Sequence, residues 1–178
     1  RVLDAVLTAV LDYGLEKAGT AAARFAVSGN PNMQAGLAAA TLSAGANGLG
    51  TENSARFIAD THQSWVEAGE PDMDEFAEAI VADARARRFR IPGFGHPVFK
   101  KVDPRSAILR DIAETDGLWG PPAQVYEAVH RAFIKLPGRE DFPINDVGVM
   151  AAITVAMGFT PEEGTALAII GTLPGVVA

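Results

Sequence analysis

Apolar residues recur along almost the whole chain at intervals of three and four, and nowhere do they alternate over a strand's length. The clearest case is Met73, Phe76, Ala77, Ile80, Val81 and Ala84. That spacing puts six apolar side chains on one face of a helix. Val2, Leu3, Val6, Leu7, Val10 and Leu11 form a similar stripe, opposite Arg1, Asp4, Thr8 and Asp12. Helix starts are marked by Asp72, by Asp103-Pro104, by Gly120-Pro121-Pro122 and by Thr160-Pro161, where a capping side chain or a proline suits the first turn. Thr51 is expected to cap a helix running to about Glu67, and one from about Pro122 to Leu136 turns Val125, Val129, Ala132, Phe133 and Leu136 inward. Gln34–Leu42 reads as a buried, alanine-rich helix. The expected fold is all-α, with Gly/Pro-rich loops between helices.

Only 7% of the 178 residues are aromatic although 48% are hydrophobic, so Ala, Val, Leu and Ile must build the core. The mean hydropathy of +0.14 suggests helices buried on several sides or a sizeable subunit interface. The net charge of −7 argues against a nucleic-acid partner. With no cysteine, and no HxxxH or HExxH spacing, no metal site is expected. Val147–Phe159, the longest apolar stretch, is too short to cross a bilayer. No secretory leader is legible, so a cytoplasmic protein without a membrane partner is the expectation.

Charge is unevenly placed. Residues 85–105 hold Arg85, Arg87, Arg88, Arg90, Lys100, Lys101 and Arg105 against one acid, Asp103: a net +6, leaving −13 on the remainder. A basic patch on an acidic body suggests a small polyanionic ligand, although a solvated helix end accounts equally well for the four arginines alone. Inside the patch lies Ile91-Pro92-Gly93-Phe94-Gly95-His96. Its glycines let backbone approach a ligand, and its histidine sits on a loop. A second loop, Phe142-Pro143-Ile144-Asn145-Asp146, sets one carboxylate at the start of an apolar helix. Asp146 could cap that helix; it could also transfer a proton at carbon. His62 reads as a packing residue and His130 as a surface or interface residue. Gly45, Gly48 and Gly50 have the wrong order for a dinucleotide fingerprint and follow a helix, not a strand.

In this order, these elements resemble the citrate synthase superfamily. Pro92-Gly93-Phe94-Gly95-His96-Pro97-Val98-Phe99-Lys100-Lys101-Val102-Asp103-Pro104-Arg105 is similar to its PG[FY]GH…V…K…DPR segment. Phe142–Asp146 resembles its PNVDF segment, Thr172–Ala178 its RTPGWxAH segment, and Ala35–Ala39 with Gly45–Ala55 its AGIAAL…GPLHGGANEA segment. The resemblance implies His96 and Asp146 as catalytic residues. His96 would hydrogen-bond the substrate oxygen, and Asp146 would move the proton at the acetyl carbon. It further implies Arg105 as a substrate-carboxylate ligand, and Gly93, Phe94, Gly95 and Lys100 as contacts to coenzyme A. At other positions the chain departs from the family: Gly48 stands where a catalytic histidine is expected, with Leu49 in place of the glycine after it, Tyr13 stands where a substrate-binding histidine is expected, and Gly171 replaces an arginine. Asp12-Tyr13-Gly14 leans towards citryl-CoA lyases and the lyase portion of ATP-citrate lyases, whereas Pro97 does not.

The resemblance therefore implies a citrate-synthase-like fold. A large helical domain would comprise residues 1–50 and 151–178, and a smaller one, 51–150, would carry the CoA and catalytic loop and close on the rest. Cleavage of citryl-CoA, or a similar 3-hydroxyacyl-CoA, to acetyl-CoA and oxaloacetate is the expected reaction. The alternatives are a citrate or 2-methylcitrate synthase and a catalytically weak CoA-binding regulatory homologue. A homodimer or higher oligomer is expected, with helices near 21–45 and 147–170 at its interface.

Overall fold

Seven consecutive residues, Gly148 to Thr154, are all buried, which identifies the helix the others surround. A computed structural model describes residues 1–12, 14–45 and 50–178. The described residues form nine helices: α1 (Val2–Ala9), α2 (Ala18–Gly29), α3 (Met33–Leu42), α4 (Glu52–Glu67), α5 (Met73–Ala86), α6 (Pro104–Thr115), α7 (Pro121–Ile134), α8 (Asp146–Ala156) and α9 (Pro161–Val177). Helices α4, α6, α7 and α9 pack around α8. Small side chains permit the close approach: a methyl added at Gly164 of α9 would lie 3.0 Å from the Thr154 hydroxyl. Thr154 satisfies that hydroxyl on the Met150 and Ala151 carbonyls, so it is buried without an orphaned donor.

The expected helix starts are present in chemical detail. Asp72 accepts from the Asp74 and Glu75 amides, Asp103 from the Arg105 amide, and Thr160 with Glu163 closes a reciprocal capping box. Thr51 precedes α4 as expected but does not cap it through its side chain; its hydroxyl instead meets the Thr165 hydroxyl on α9.

Two expectations are corrected. Helix α3 is not buried, because α2 and α3 form a hairpin standing against α9; only Gly36 and Ala40 of α3 are covered. Phe25, Met33 and Leu42 are exposed on it. Conversely α8, expected at a subunit interface, lies inside this chain's own core. Its apolar residues run all round the helix, and one chain supplies enough neighbours to bury them. The Tyr13, Gly48 and Leu49 positions lie outside the described residues. No described helix is long and apolar enough to cross a membrane.

Candidate active site

Two loops from distant parts of the chain meet in one antiparallel bridge, Phe94 opposite Ile144. Asn145 donates its amide to the Gly93 carbonyl at 2.9 Å, and Gly95 donates to the Pro143 carbonyl at 2.7 Å. The Asn145 side chain adds a bond to the Gly95 carbonyl at 2.8 Å. Gly93 and Gly95 both hold φ above +80°. Their small size is required here: a methyl on Gly93 would lie 2.1 Å from the Tyr126 hydroxyl and 2.8 Å from the Gly148 Cα. Phe94 is buried against Tyr126, His130 and Phe133. Internal packing thus explains the glycines and uses much of the loop's backbone hydrogen bonding.

The bridge sets His96 and Asp146 beside Arg105. Arg105 donates Nη1 to Asp146 at 2.7 Å, Nη2 to Asp103 at 2.8 Å, and Nε to Asp103 at 3.2 Å. His96 Nε2 lies 3.3 Å from Nη2. His96 Nδ1 accepts from the Val98 and Phe99 amides at 3.1 and 3.0 Å. A nitrogen that accepts carries no proton, so these two bonds assign the proton of the neutral ring to Nε2; its 3.3 Å approach to Arg105 Nη2, itself only a donor, is then not a hydrogen bond. The capping choice at α8 is also resolved: Asn145 accepts from the Gly148 amide, leaving the Asp146 carboxylate free to face Arg105.

These groups line a cleft of about 300 Å³ with Asp12, Glu16, Lys17 and Thr172. Lys17 is a second cation at this cleft that sequence reading missed; nothing in its spacing marks it. Asp103 was likewise read only as a cap. It is fully buried, and it fixes the Arg105 guanidinium in place. Atoms of His96, Asp103 and Asp146 lie within 4.8 Å of one another, as a metal site would need. The guanidinium already bonds both carboxylates and supplies the positive charge at that point.

Burial alone would raise the Asp103 pKa, but the hydrogen bonds and charge of Arg105 outweigh it and hold the carboxyl below the usual range. A depressed carboxyl contributes stability above about pH 4, its unfolded value, and loses it as pH falls through the folded value. Arg105→Leu leaves that buried carboxylate without its cation, at a cost of about 3 kcal/mol at neutral pH. Without Arg105, burial raises the Asp103 pKa and the carboxyl folds protonated at pH 4, so urea melts at pH 7 and pH 4 check this: the gap between wild type and variant is wide at pH 7 and narrows at pH 4.

A second cleft, about 740 Å³, borders the glycine loop at Ile91 and Phe94. It is lined by Arg85, Arg88, Arg90, Arg139, Phe89 and Phe94, among others. Arg139 lies over the Phe142 ring at 4.9 Å. Lys100 is exposed and is not among the residues lining either cleft. Gly171, where the resembled RTPG segment has an arginine, is closely packed: a methyl there would lie 2.6 Å from a side-chain methyl of Val10 at the α1 end. A larger side chain there requires the Val10 and Leu7 side chains to shift.

His130 is corrected from surface residue to partly buried anchor. Its Nε2 bonds the Phe142 carbonyl at 2.7 Å. Tyr126, four residues earlier, donates to the Pro92 carbonyl at 2.8 Å.

Known proteins share this arrangement of helices. The citryl-CoA lyase of Hydrogenobacter thermophilus is 31% identical and superposes with a TM-score of 0.86 over 99% of this chain and 66% of its own. ATP citrate lyase of Methanosaeta concilii, solved with (3S)-citryl-CoA, is 19% identical with a TM-score of 0.77; 99% of this chain matches 30% of it, a likeness of fold. The glyoxysomal citrate synthase of Cucurbita maxima is 33% identical over 116 residues, 60% of this chain and 21% of that protein. This chain thus spans about a fifth of the plant enzyme and just under two thirds of the bacterial lyase. The sequence pattern of the family described as "Citrate synthase, C-terminal domain" matches residues 1–178, from the first helix through both loops to the last. The chain belongs to the citrate synthase family.

Proposed function

We propose that this chain provides the catalytic core of a citryl-CoA lyase-like enzyme, which cleaves citryl-CoA or a close 3-hydroxyacyl-CoA to acetyl-CoA and oxaloacetate. One observation carries the reading: a donor-fixed His96 Nε2–H and the Asp146 carboxylate share one cleft, with Arg105 between them. The likeness to the Hydrogenobacter lyase supports the direction of reaction.

The chemistry follows from those three groups. The Arg105 fork, helped by Lys17, binds a substrate carboxylate. Competition from that carboxylate loosens the Arg105–Asp146 pair and frees Asp146. His96 Nε2–H donates to the substrate hydroxyl oxygen, stabilising it as it becomes the oxaloacetate carbonyl. Asp146 takes the hydroxyl proton while the carbon–carbon bond breaks and its electron pair enters the thioester enolate. The same carboxyl then returns that proton to the terminal carbon, giving acetyl-CoA. Because its Nδ1 already accepts two amides, His96 acts as a donor and not as the base. The phosphates and adenine of CoA fit the arginine- and phenylalanine-lined cleft beside the glycine loop. Of Gly93, Phe94, Gly95 and Lys100, the cofactor contacts that the resemblance implies, Phe94 alone borders that cleft, with its ring packed inward.

The two-lobed division at residues 51–150 belongs to the same reading, as does a homodimer. The dimer contact falls on the α2–α3 hairpin, where Phe25 and Leu42 are 80% and 86% exposed. The citrate synthase reading is kept by the plant relative. A coupled assay separates the possibilities. Oxaloacetate release from citryl-CoA is expected. Thiol release from acetyl-CoA and oxaloacetate without cleavage identifies a synthase instead. CoA binding with neither turnover identifies a regulatory homologue.

A further inference from the structure

We infer that Tyr126 and His130 of α7 are positioning residues that clamp the His96 loop and the Asp146 loop in register; the inference rests on the proposed roles of those two loops. Neither side chain lines the catalytic cleft. Four residues apart, they lie on one helix face. Each pins a different loop. The Tyr126 hydroxyl donates to the Pro92 carbonyl at 2.8 Å, four residues before His96. The His130 Nε2–H donates to the Phe142 carbonyl at 2.7 Å, four residues before Asp146. The Phe94 ring sits between them, stacked on Tyr126 with centroids 5.1 Å apart and edge-on to His130 at 4.9 Å.

The loops need such a clamp. Their own pairing is a single bridge, with the Asn145 side-chain bond to Gly95 and a Lys101–Asp141 backbone bond beside it, far shorter than a ribbon that holds itself together in water. Yet His96 and Asp146 each follow that bridge within two residues, so a shift in its register displaces both. A displacement of about 1 Å between reacting groups costs about a hundredfold in rate. Mounting both pins on one rigid helix ties the loops to a common frame. Burial drives the Tyr126 pKa up and the His130 pKa down, so both pins stay neutral donors.

The test compares His130→Asn with His130→Gln in the intact chain. A glutamine amide reaches the position of the His130 Nε2, whereas an asparagine amide falls short. Amide hydrogen exchange reads the clamp without any need for turnover. In His130→Asn, the Gly95 and Asn145 amides that form the bridge are expected to exchange about tenfold faster, while the Ile153 amide in α8 keeps its rate. His130→Gln restores the bridge amides to within about twofold. Tyr126→Phe, which removes only the hydroxyl, loosens the same two amides. In the turnover assay, kcat falls about tenfold in His130→Asn with KM changed less than about twofold. Unchanged bridge amides in His130→Asn overturn the clamp, as does equal acceleration of bridge and α8 amides. If the wild-type chain shows no turnover at all, the proposed reaction falls while the exchange rates still decide the clamp.

Discussion

Asp146→Ala is expected to lower kcat for citryl-CoA cleavage by about 10³-fold, within the 10² to 10⁴ range that a positioned acid–base group contributes. The variant keeps Arg105 in place, because Asp103 holds the guanidinium through two further bonds. Removing Asp146 also frees Nη1 of Arg105 from its 2.7 Å ion pair and makes it available to a substrate carboxylate. The expected signature is therefore a split: kcat collapses while KM stays level or falls. Steady-state cleavage kinetics read both parameters. A variant with wild-type kcat would remove Asp146 as proton carrier. A variant that loses kcat only because KM has risen sharply would make Asp146 a binding group.

The largest effect on stability is expected at Gly93→Ala. The alanine would have to hold φ +81°, with its methyl 2.1 Å from the Tyr126 hydroxyl and 2.8 Å from the Gly148 backbone. Left-handed strain and overpacking each cost about 1–3 kcal/mol, so roughly 3–5 kcal/mol is expected in total. For a domain of this size the melting temperature falls by roughly 10–15 °C. Gly138→Ala serves as the control. It shares the positive φ, at +77°, but nothing lies within 4 Å, so it carries the backbone cost alone. Adding Tyr126→Phe to Gly93→Ala removes the nearest clash and recovers part of the loss; the Gly148 contact and the lost bond to the Pro92 carbonyl keep recovery incomplete. Thermal melts of the three variants measure the series. Equal losses at Gly93 and Gly138 would show that the close approach carries no weight.

Helices and their ends were legible in the chain because their causes are local. The spacing from Met73 to Ala84 repeats on one face regardless of what covers it, and Asp72, Asp103 and Thr160 cap the turns that directly follow them. The two loops were legible for a similar reason. Glycines flanking a histidine, and a carboxylate at the head of an apolar run, are local patterns. What each side chain faces is not local. Gln34–Leu42 reads as a core helix, and the helices near 147–170 as interface helices, since all are small and apolar; only the neighbours supplied by distant helices decide that α8 is inside and α3 is not. His130 looks ordinary beside Val129 and Arg131, and acquires a task when a carbonyl twelve residues away comes within 2.7 Å. The joining of Arg105 to Asp146, forty-one positions apart, and the arrival of Lys17 at the same cleft are likewise products of long-range packing. Periodicity and capping act over about one helical turn, whereas a catalytic site is a meeting of side chains that the chain brings together only after its core has closed.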